Sequence, residues 1–296
     1  METVRLLTTR SRAWPLKRTA VLAQTPTEAQ PTMAHDERPL IGVLVQVAYD
    51  GTNFSGWASQ KDARTVEDTL RGAILELDPR ARGPRGTSRT DAGVHAEGQL
   101  AAFDANVAMP PRGWVLTLNQ HLPDDVAVRS AQLVPTGFHP RFASKTKRYR
   151  YDLLLDKVRD PLLSKRSWRI GYDMDMDRIE REAKAIVGTH DFAAFRSAGD
   201  ERAVTVRTIR SVELTRTDAR RVSITIEGTA FLYNMVRILV GTLVDVGRGH
   251  LPEGSIARAL AGKDRALAGQ TAPPHGLTLA SIELDIPGGS GERWPL

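Results

Sequence analysis

Ile41-Gly42-Val43-Leu44-Val45-Gln46-Val47-Ala48-Tyr49 is the stretch from which the fold is read. Side chains alternate along an extended chain, so Ile41, Val43, Val45, Val47 and Tyr49 share one apolar face, the signature of a strand. A polar turn with a glycine follows (Asp50, Gly51, Thr52, Asn53). Thr65 with Asp68 three residues later then makes a capping-box-like start to a helix that carries Val66, Leu70, Ala73, Ile74 and Leu77 inward. A short strand, a polar loop about Thr87 to Gly93 and a strand near Gln99 to Phe103 complete this first pattern.

The second half repeats the grammar. Tyr149 to Leu155 reads as a strand, and residues 176 to 187 as a helix with Ile179, Ala183, Ile186 and Val187 on one face. Strands are expected near Val204 to Leu214 and Arg221 to Glu227, then a helix from about Phe231 to Val246. A helix over about Ser255 to Leu260 and a strand near Leu277 to Leu284 end the pattern. Hairpin-like strand pairs mixed with helices predict an α+β protein with largely antiparallel sheets rather than a doubly wound parallel one. The similar content of the two halves predicts two related domains, 39–145 and 146–285, with a cleft between them. Residues 1–38 carry scattered Arg and Lys without periodicity and read as a disordered leader, with an organellar transit peptide as the alternative. Residues 286–296 form a tail.

The 296 residues carry 41 Lys and Arg against 35 Asp and Glu, an excess of 6 that suits a polyanionic partner such as RNA. With 0 cysteines, disulfides, thiolate metal sites and cysteine nucleophiles are excluded, and a reducing compartment is permitted. No run of about 18 apolar residues marks a membrane span. A cytoplasmic protein is the expectation. No Gly-x-Gly-x-x-Gly fingerprint and no Gly-Lys-Ser/Thr phosphate loop occurs, so cofactor redox chemistry and phosphoryl transfer lack support.

Three clusters carry chemistry. In Gly86-Thr87-Ser88-Arg89-Thr90-Asp91-Ala92-Gly93-Val94-His95-Ala96, Asp91 stands beside Arg89, which predicts a lowered carboxyl pKa and an ionised nucleophile or base. An Asx-turn or a solvated ion pair is the commoner fate of such a loop aspartate. His95 lacks any metal-ligand spacing and reads as a packed, hydrogen-bonded histidine. The second cluster, Arg141, Lys145, Lys147, Arg148, Tyr149, Arg150 and Tyr151, interleaves cations with aromatics as RNA binding requires. Core packing of Tyr149 and Tyr151, which share a face of the strand, explains it equally well. Third, Arg237 stands alone in the apolar run Phe231 to Gly241. Either it meets a carboxylate, Asp91 being a candidate, or it snorkels to solvent.

Together these clusters resemble the tRNA pseudouridine synthase A family. The resembling segments run in order from about residue 40 to 285. They are Ala48-Tyr49-Asp50-Gly51 with Gly56-Trp57, the Arg89-Thr90-Asp91-Ala92-Gly93-Val94-His95 loop, and Leu122-Pro123-Asp124-Asp125. Phe138-His139, Arg141-Phe142, Arg148-Tyr149-Arg150-Tyr151, Asp191-Phe192 and Phe195-Arg196 follow. Met235-Val236-Arg237 with Gly241 and Ala261-Gly262-Lys263-Asp264-Arg265 close the series. The resemblance implies that Asp91 is the catalytic aspartate, that Tyr149 stacks on the target uracil, and that Arg89 and Arg237 bind substrate, Arg237 pairing with Asp91. It also implies two ferredoxin-like α+β domains flanking a basic cleft and a homodimer. The implied reaction turns uridine into pseudouridine in the anticodon stem-loop of tRNA, at positions 38 to 40, without metal or cofactor. Ala58 and Ser88 depart from the family pattern, which has glutamine and glycine there.

Two rivals remain on the residues. A noncatalytic tRNA-binding or RNA-chaperone protein would keep the basic cleft and Tyr149 but have no use for Asp91. A carboxylate-based glycosidase would need a second acid across the cleft, with Glu97 and Asp104 nearest in sequence.

Overall fold

The structure is a computed structural model of the chain, in which residues 40–197, 199–200, 202–286 and 293–294 are described. The expected leader, 1–38, and most of the expected tail lie outside the described residues. In chain order the elements are β1 (Ile41–Tyr49), α1 (Val66–Leu77), β2 (Arg82–Gly86), β3 (His95–Ala105), α2 (Pro111–His121) and β4 (Val126–Val134). Next come β5 (Ser144–Leu155), β6 (Trp168–Ile170), α3 (Met176–Ala183), β7 (Gly188–Asp191), β8 (Val206–Arg216) and β9 (Arg221–Gly228). The chain ends with α4 (Met235–Gly247), α5 (Ser255–Gly262), β10 (Leu277–Leu284) and β11 (Arg293–Trp294).

Alternation in β1 sends Val43, Val45, Val47 and Tyr49 into the main core, while Leu44 packs with Ala102 and Val134 on the opposite face. α1 starts where expected, because the Thr65 hydroxyl accepts the Asp68 amide at 3.3 Å and satisfies an otherwise unpaired donor. Leu70, Ala73 and Ile74 then bury one stripe of that helix. Trp114 and Leu118 of α2, Ile179 of α3, Leu239 and Leu243 of α4 and Ile256 of α5 join the same core. All five helices thus contribute to one apolar layer against the sheet.

The strands form one sheet in the order β11-β4-β1-β3-β10-β5-β9-β8-β7, with β2 on β3 and β6 on β5. Neighbours run antiparallel except β3 with β10 and β5 with β6, so the sheet is largely antiparallel as predicted. The C-terminal strand β10 is inserted between β3 and β5: Leu279 pairs with Ala96 on one side and Tyr149 on the other. That seam brings the Asp91 loop, just ahead of β3, beside Tyr149 on β5.

Some elements depart from expectation. α2, β4, β6 and β7 escape the sequence patterns. Pro110 caps α2 and Pro111 begins it, since proline is compatible with the first turn of a helix. α4 begins at Met235 rather than Phe231, because Asn234 takes the left-handed conformation (φ 59°) and ends a turn there. The helix expected to reach residue 187 passes at Lys184 into a 3-10 turn.

Candidate active site

The loop from Thr87 to Val94 is pinned at nearly every residue. Gln99 brackets Ser88, accepting its amide at 3.2 Å and donating to its carbonyl at 2.6 Å. The Thr90 hydroxyl meets the Tyr49 hydroxyl at 2.7 Å, and the Trp57 amide donates to the Thr90 carbonyl at 3.1 Å. The neighbouring Gly56, at φ 99°, lies so close that a Cβ there would sit 2.6 Å from the Thr90 carbonyl oxygen. Behind the loop, buried His95 accepts the Gly51 amide at Nδ1 (3.0 Å), and Nε2 reaches the Lys165 and His275 carbonyls. It packs and hydrogen-bonds, as its isolation in sequence implied.

Asp91 is held in this frame with its side chain 18% exposed. Its Oδ2 lies 3.5 Å from Nη1 of Arg237. The arginine is itself fixed at the start of α4, donating from Nε to the Ala272 carbonyl at 2.8 Å and from Nη1 to Asn234 Oδ1 at 2.6 Å. Arg237 therefore does not snorkel to bulk solvent. Asn234 connects the frame further, donating to Ser197 Oγ at 2.7 Å.

The expected lowering of the Asp91 pKa is overturned. Burial raises it, and the opposing pull of Arg237 across a 3.5 Å contact is too weak to reverse that. Arg89, assumed from sequence to hold Asp91 ionised, is exposed on the cleft wall, and among the described residues it forms no hydrogen bond or ion pair with Asp91. Closeness in sequence does not make Arg89 the partner, and the charge partner comes instead from 146 residues away.

Tyr149 is buried, its ring set edge-on to Phe231 with centroids 5.0 Å apart. Its hydroxyl meets Ser88 Oγ at 3.0 Å. Burial pushes its pKa up to about 12, with the Asp91 charge adding to the rise, so the phenol stays neutral near pH 7. Tyr151 also packs inward, donating to the Pro273 carbonyl at 2.7 Å.

Asp91, Tyr149, Arg89 and Arg237 all line one cleft of about 1060 Å³. Arg85, His139, Arg141, Lys147 and Arg202 line it too, making the wall strongly cationic. Arg202, Phe231 and Asn234 were not singled out from sequence. Only Asn234, directly before Met235-Val236-Arg237, carried a local signal, since asparagine tolerates positive φ. Glu97 and Asp104 lie outside the cleft, engaged by Arg150 at 2.8 Å and Arg85 at 2.8 Å. The second acid of a glycosidase is thus not supplied by either.

A family model described as tRNA pseudouridine synthase matches residues 45–143 and 183–285. The tRNA pseudouridine synthase A of Acetivibrio thermocellus is 43% identical over 240 residues, covering 81% of this chain and 98% of the relative. That of Thermoanaerobacter sp. strain X514 is 41% identical over 240 residues, with the same coverage of 81% and 98%. That of Geobacter sp. strain M21 is 42% identical over 237 residues, covering 80% and 96%. The chain belongs to the tRNA pseudouridine synthase A family, a family of isomerases.

Proposed function

We propose that the protein isomerises uridine to pseudouridine in tRNA, with Asp91 as its catalytic carboxylate. The observation that carries this reading is a partly buried carboxylate facing Arg237 in a cationic cleft, beside a neutral tyrosine ring. Binding RNA gives no physical reason to hold a costly buried carboxylate near phosphates; chemistry on a nucleotide does.

The target uridine leaves the helical stack, at a cost of about a few kcal/mol. Its base enters the cleft against Tyr149. Asp91 assists breakage of the N1–C1′ bond, the detached uracil rotates, and C5 bonds to C1′. C5 then loses its proton and N1 gains one, so no atom is added and no co-reactant is consumed. Arg237 orients the carboxylate through its own fixed bonds to Asn234 and Ala272. Arg89, free of contacts with Asp91, is left to meet the RNA backbone. We extend the proposal, on the strength of the resemblance, to targets at tRNA positions 38 to 40 and to a homodimer, and we further propose a cytoplasmic location. We also propose that the halves 39–145 and 146–285 are related ferredoxin-like domains; in the sheet, β10 lies between β3 of the first and β5 of the second. Release of tritium from tRNA labelled at uridine C5 tests the chemistry, because isomerisation expels that hydrogen. Labelled tRNA that binds and keeps all its tritium contradicts the reading.

The raised Asp91 pKa carries a sign. The ionised form reacts, so kcat/KM is full at neutral pH and falls with acid, with a midpoint above the ordinary aspartate value of about 3.9. Arg237→Met removes the one favourable charge and moves that limb to still higher pH. A pH–rate profile of both proteins, with fold checked at each pH, measures the shift.

Tyr149 separates ring from hydroxyl. Tyr149→Phe loses only the bond to Ser88, about 0.5–1.5 kcal/mol, and lowers kcat/KM by at most about tenfold. Tyr149→Leu removes the stacking face, about 1–3 kcal/mol, and costs up to about 100-fold. Equal losses in the two variants would shift the role from ring to hydroxyl.

A further inference from the structure

Lys147 is one of the cleft cations that the chemistry above does not use. It lies two residues before Tyr149 on β5, partly buried, donating from Nζ to the Thr87 carbonyl at 3.2 Å and to Ser88 Oγ at 3.4 Å. Both acceptors are neutral. Among the described residues neither Lys147 nor Arg141 forms an ion pair with a carboxylate, and the charged groups facing Lys147 are themselves cations, Arg141 and Arg202. Burial and that repulsion together hold the Lys147 pKa down, at about 8.

Arg202 is the anchored member. Its Nε pairs with Asp200 at 2.8 Å, its Nη1 donates to the Phe231 carbonyl at 3.0 Å, and its side chain is 45% exposed. Asp200 is occupied, because its other oxygen accepts the Tyr233 amide at 3.0 Å. Arg207 stands behind and adds a further cation. Arg141, Lys147 and Arg202 thus line one cleft, and Asp200, the carboxylate paired with Arg202, is already engaged. Holding a half-desolvated ammonium among like charges is unfavourable, and a ligand that brings negative charge reverses the balance. The ligand must be compact and anionic, and must accept hydrogen bonds from a lysine and from planar guanidinium groups. A phosphate group meets each of these demands.

The location narrows the source. Ser88 Oγ touches both Lys147 Nζ, at 3.4 Å, and the Tyr149 hydroxyl, at 3.0 Å. An anion gripped by Lys147 therefore lies next to the base seated on Tyr149. We propose that Arg141, Lys147 and Arg202 form a phosphate subsite, separate from the Asp91–Arg237 pair, which grips the RNA phosphodiester adjoining the extruded uridine. This subsite rests on the reading of the cleft as a site for a tRNA uridine. Ser88, present where the family pattern has glycine, is then the residue that links backbone grip to base placement.

The test is a cycle between protein and RNA. An anticodon stem-loop RNA is made with a neutral methylphosphonate at the phosphate 5′ or 3′ of the target uridine, beside the unmodified RNA. Each is bound to wild type, Lys147→Gln and Arg141→Gln, with uridine turnover followed in parallel. Loss of one phosphate contact weakens affinity by about tenfold and flattens the salt dependence of log Kd by about one unit of slope. At one of the two positions, methylphosphonate and Lys147→Gln should together cost no more than either alone, because both remove the same contact. Arg141→Gln alters an exposed residue and keeps the test open should the Lys147 variant fold poorly. Full additivity at both positions, or wild-type affinity and salt slope in both variants, overturns the subsite. Inorganic phosphate titrated alone separates the other source: micromolar binding that RNA does not displace would assign the site to free phosphate and also overturn the proposal. Absence of turnover by wild type would instead strike the functional reading itself.

Discussion

Asp91→Asn is expected to lower kcat for pseudouridine formation by on the order of 10³-fold or more while tRNA affinity stays within a few-fold. Asparagine fills the same space and can still contact Arg237, so the pinned loop and the cationic wall are retained. What it lacks is the negative charge and the lone pairs that attack or remove a proton. The stability effect has a definite sign. A carboxyl whose pKa is raised by folding weakens the native state once pH exceeds its unfolded value, so Asp91 costs stability at pH 7. The asparagine variant should therefore melt no lower than wild type near neutrality. Single-turnover kinetics, filter binding and thermal melts on the same preparations check the three outcomes. A variant that loses tRNA binding in step with activity would make Asp91 a binding group.

Gly241→Ala is the second large effect, and it acts from inside α4. A Cβ at residue 241 would lie 1.9 Å from the Gln270 carbonyl oxygen and 2.8 Å from its carbon, both backbone atoms that no rotamer can move aside. α4 and the segment 270–272 must separate, at the upper end of overpacking costs, about 3 kcal/mol. For a chain of this size that is a fall in Tm of roughly 6–12 °C. The same segment holds Arg237 at both ends: the Ala272 amide donates to the Arg237 carbonyl at 3.0 Å, and Arg237 Nε donates to the Ala272 carbonyl at 2.8 Å. Activity should fall further than stability alone explains, measured below the melting range. Gly72→Ala supplies the contrast. It is an exposed helical glycine in α1 with no atom within 4 Å of a new Cβ, so alanine there should stabilise by up to about 1 kcal/mol.

Where the apolar period is long and one-sided, the fold was legible. β1 and α1 announce themselves by alternation and by a capped stripe, and their buried faces follow the periodicity; β5 and β10 form where strands were expected, β5 starting earlier, at Ser144. α2 hid behind two prolines, and β6 and β7, of 3 and 4 residues, are too short to show a period. The start of α4 was misplaced because an apolar run continues through Phe231 and Leu232, while the chain there turns through a left-handed Asn234. The site divides in the same way. The residues meeting at Asp91 come from distant elements, and the family resemblance joined Asp91, Tyr149 and Arg237 where periodicity could not. Charge environment was not legible. Sequence neighbours made Arg89 the partner of Asp91, whereas burial and Arg237 set its ionisation. Equally, nothing local marked Lys147 off from the other cations of its run; its lack of a carboxylate partner exists only in three dimensions.

The most direct test of the account is a nucleotide-resolution map of pseudouridine in an unmodified tRNA transcript with uridines at positions 38 to 40, after incubation with the purified protein alone. The account predicts pseudouridine within that 3′ side of the anticodon stem-loop, and none when Asp91→Asn replaces wild type. Tight binding of the transcript with every uridine left intact would contradict it and identify a noncatalytic RNA-binding protein on this fold.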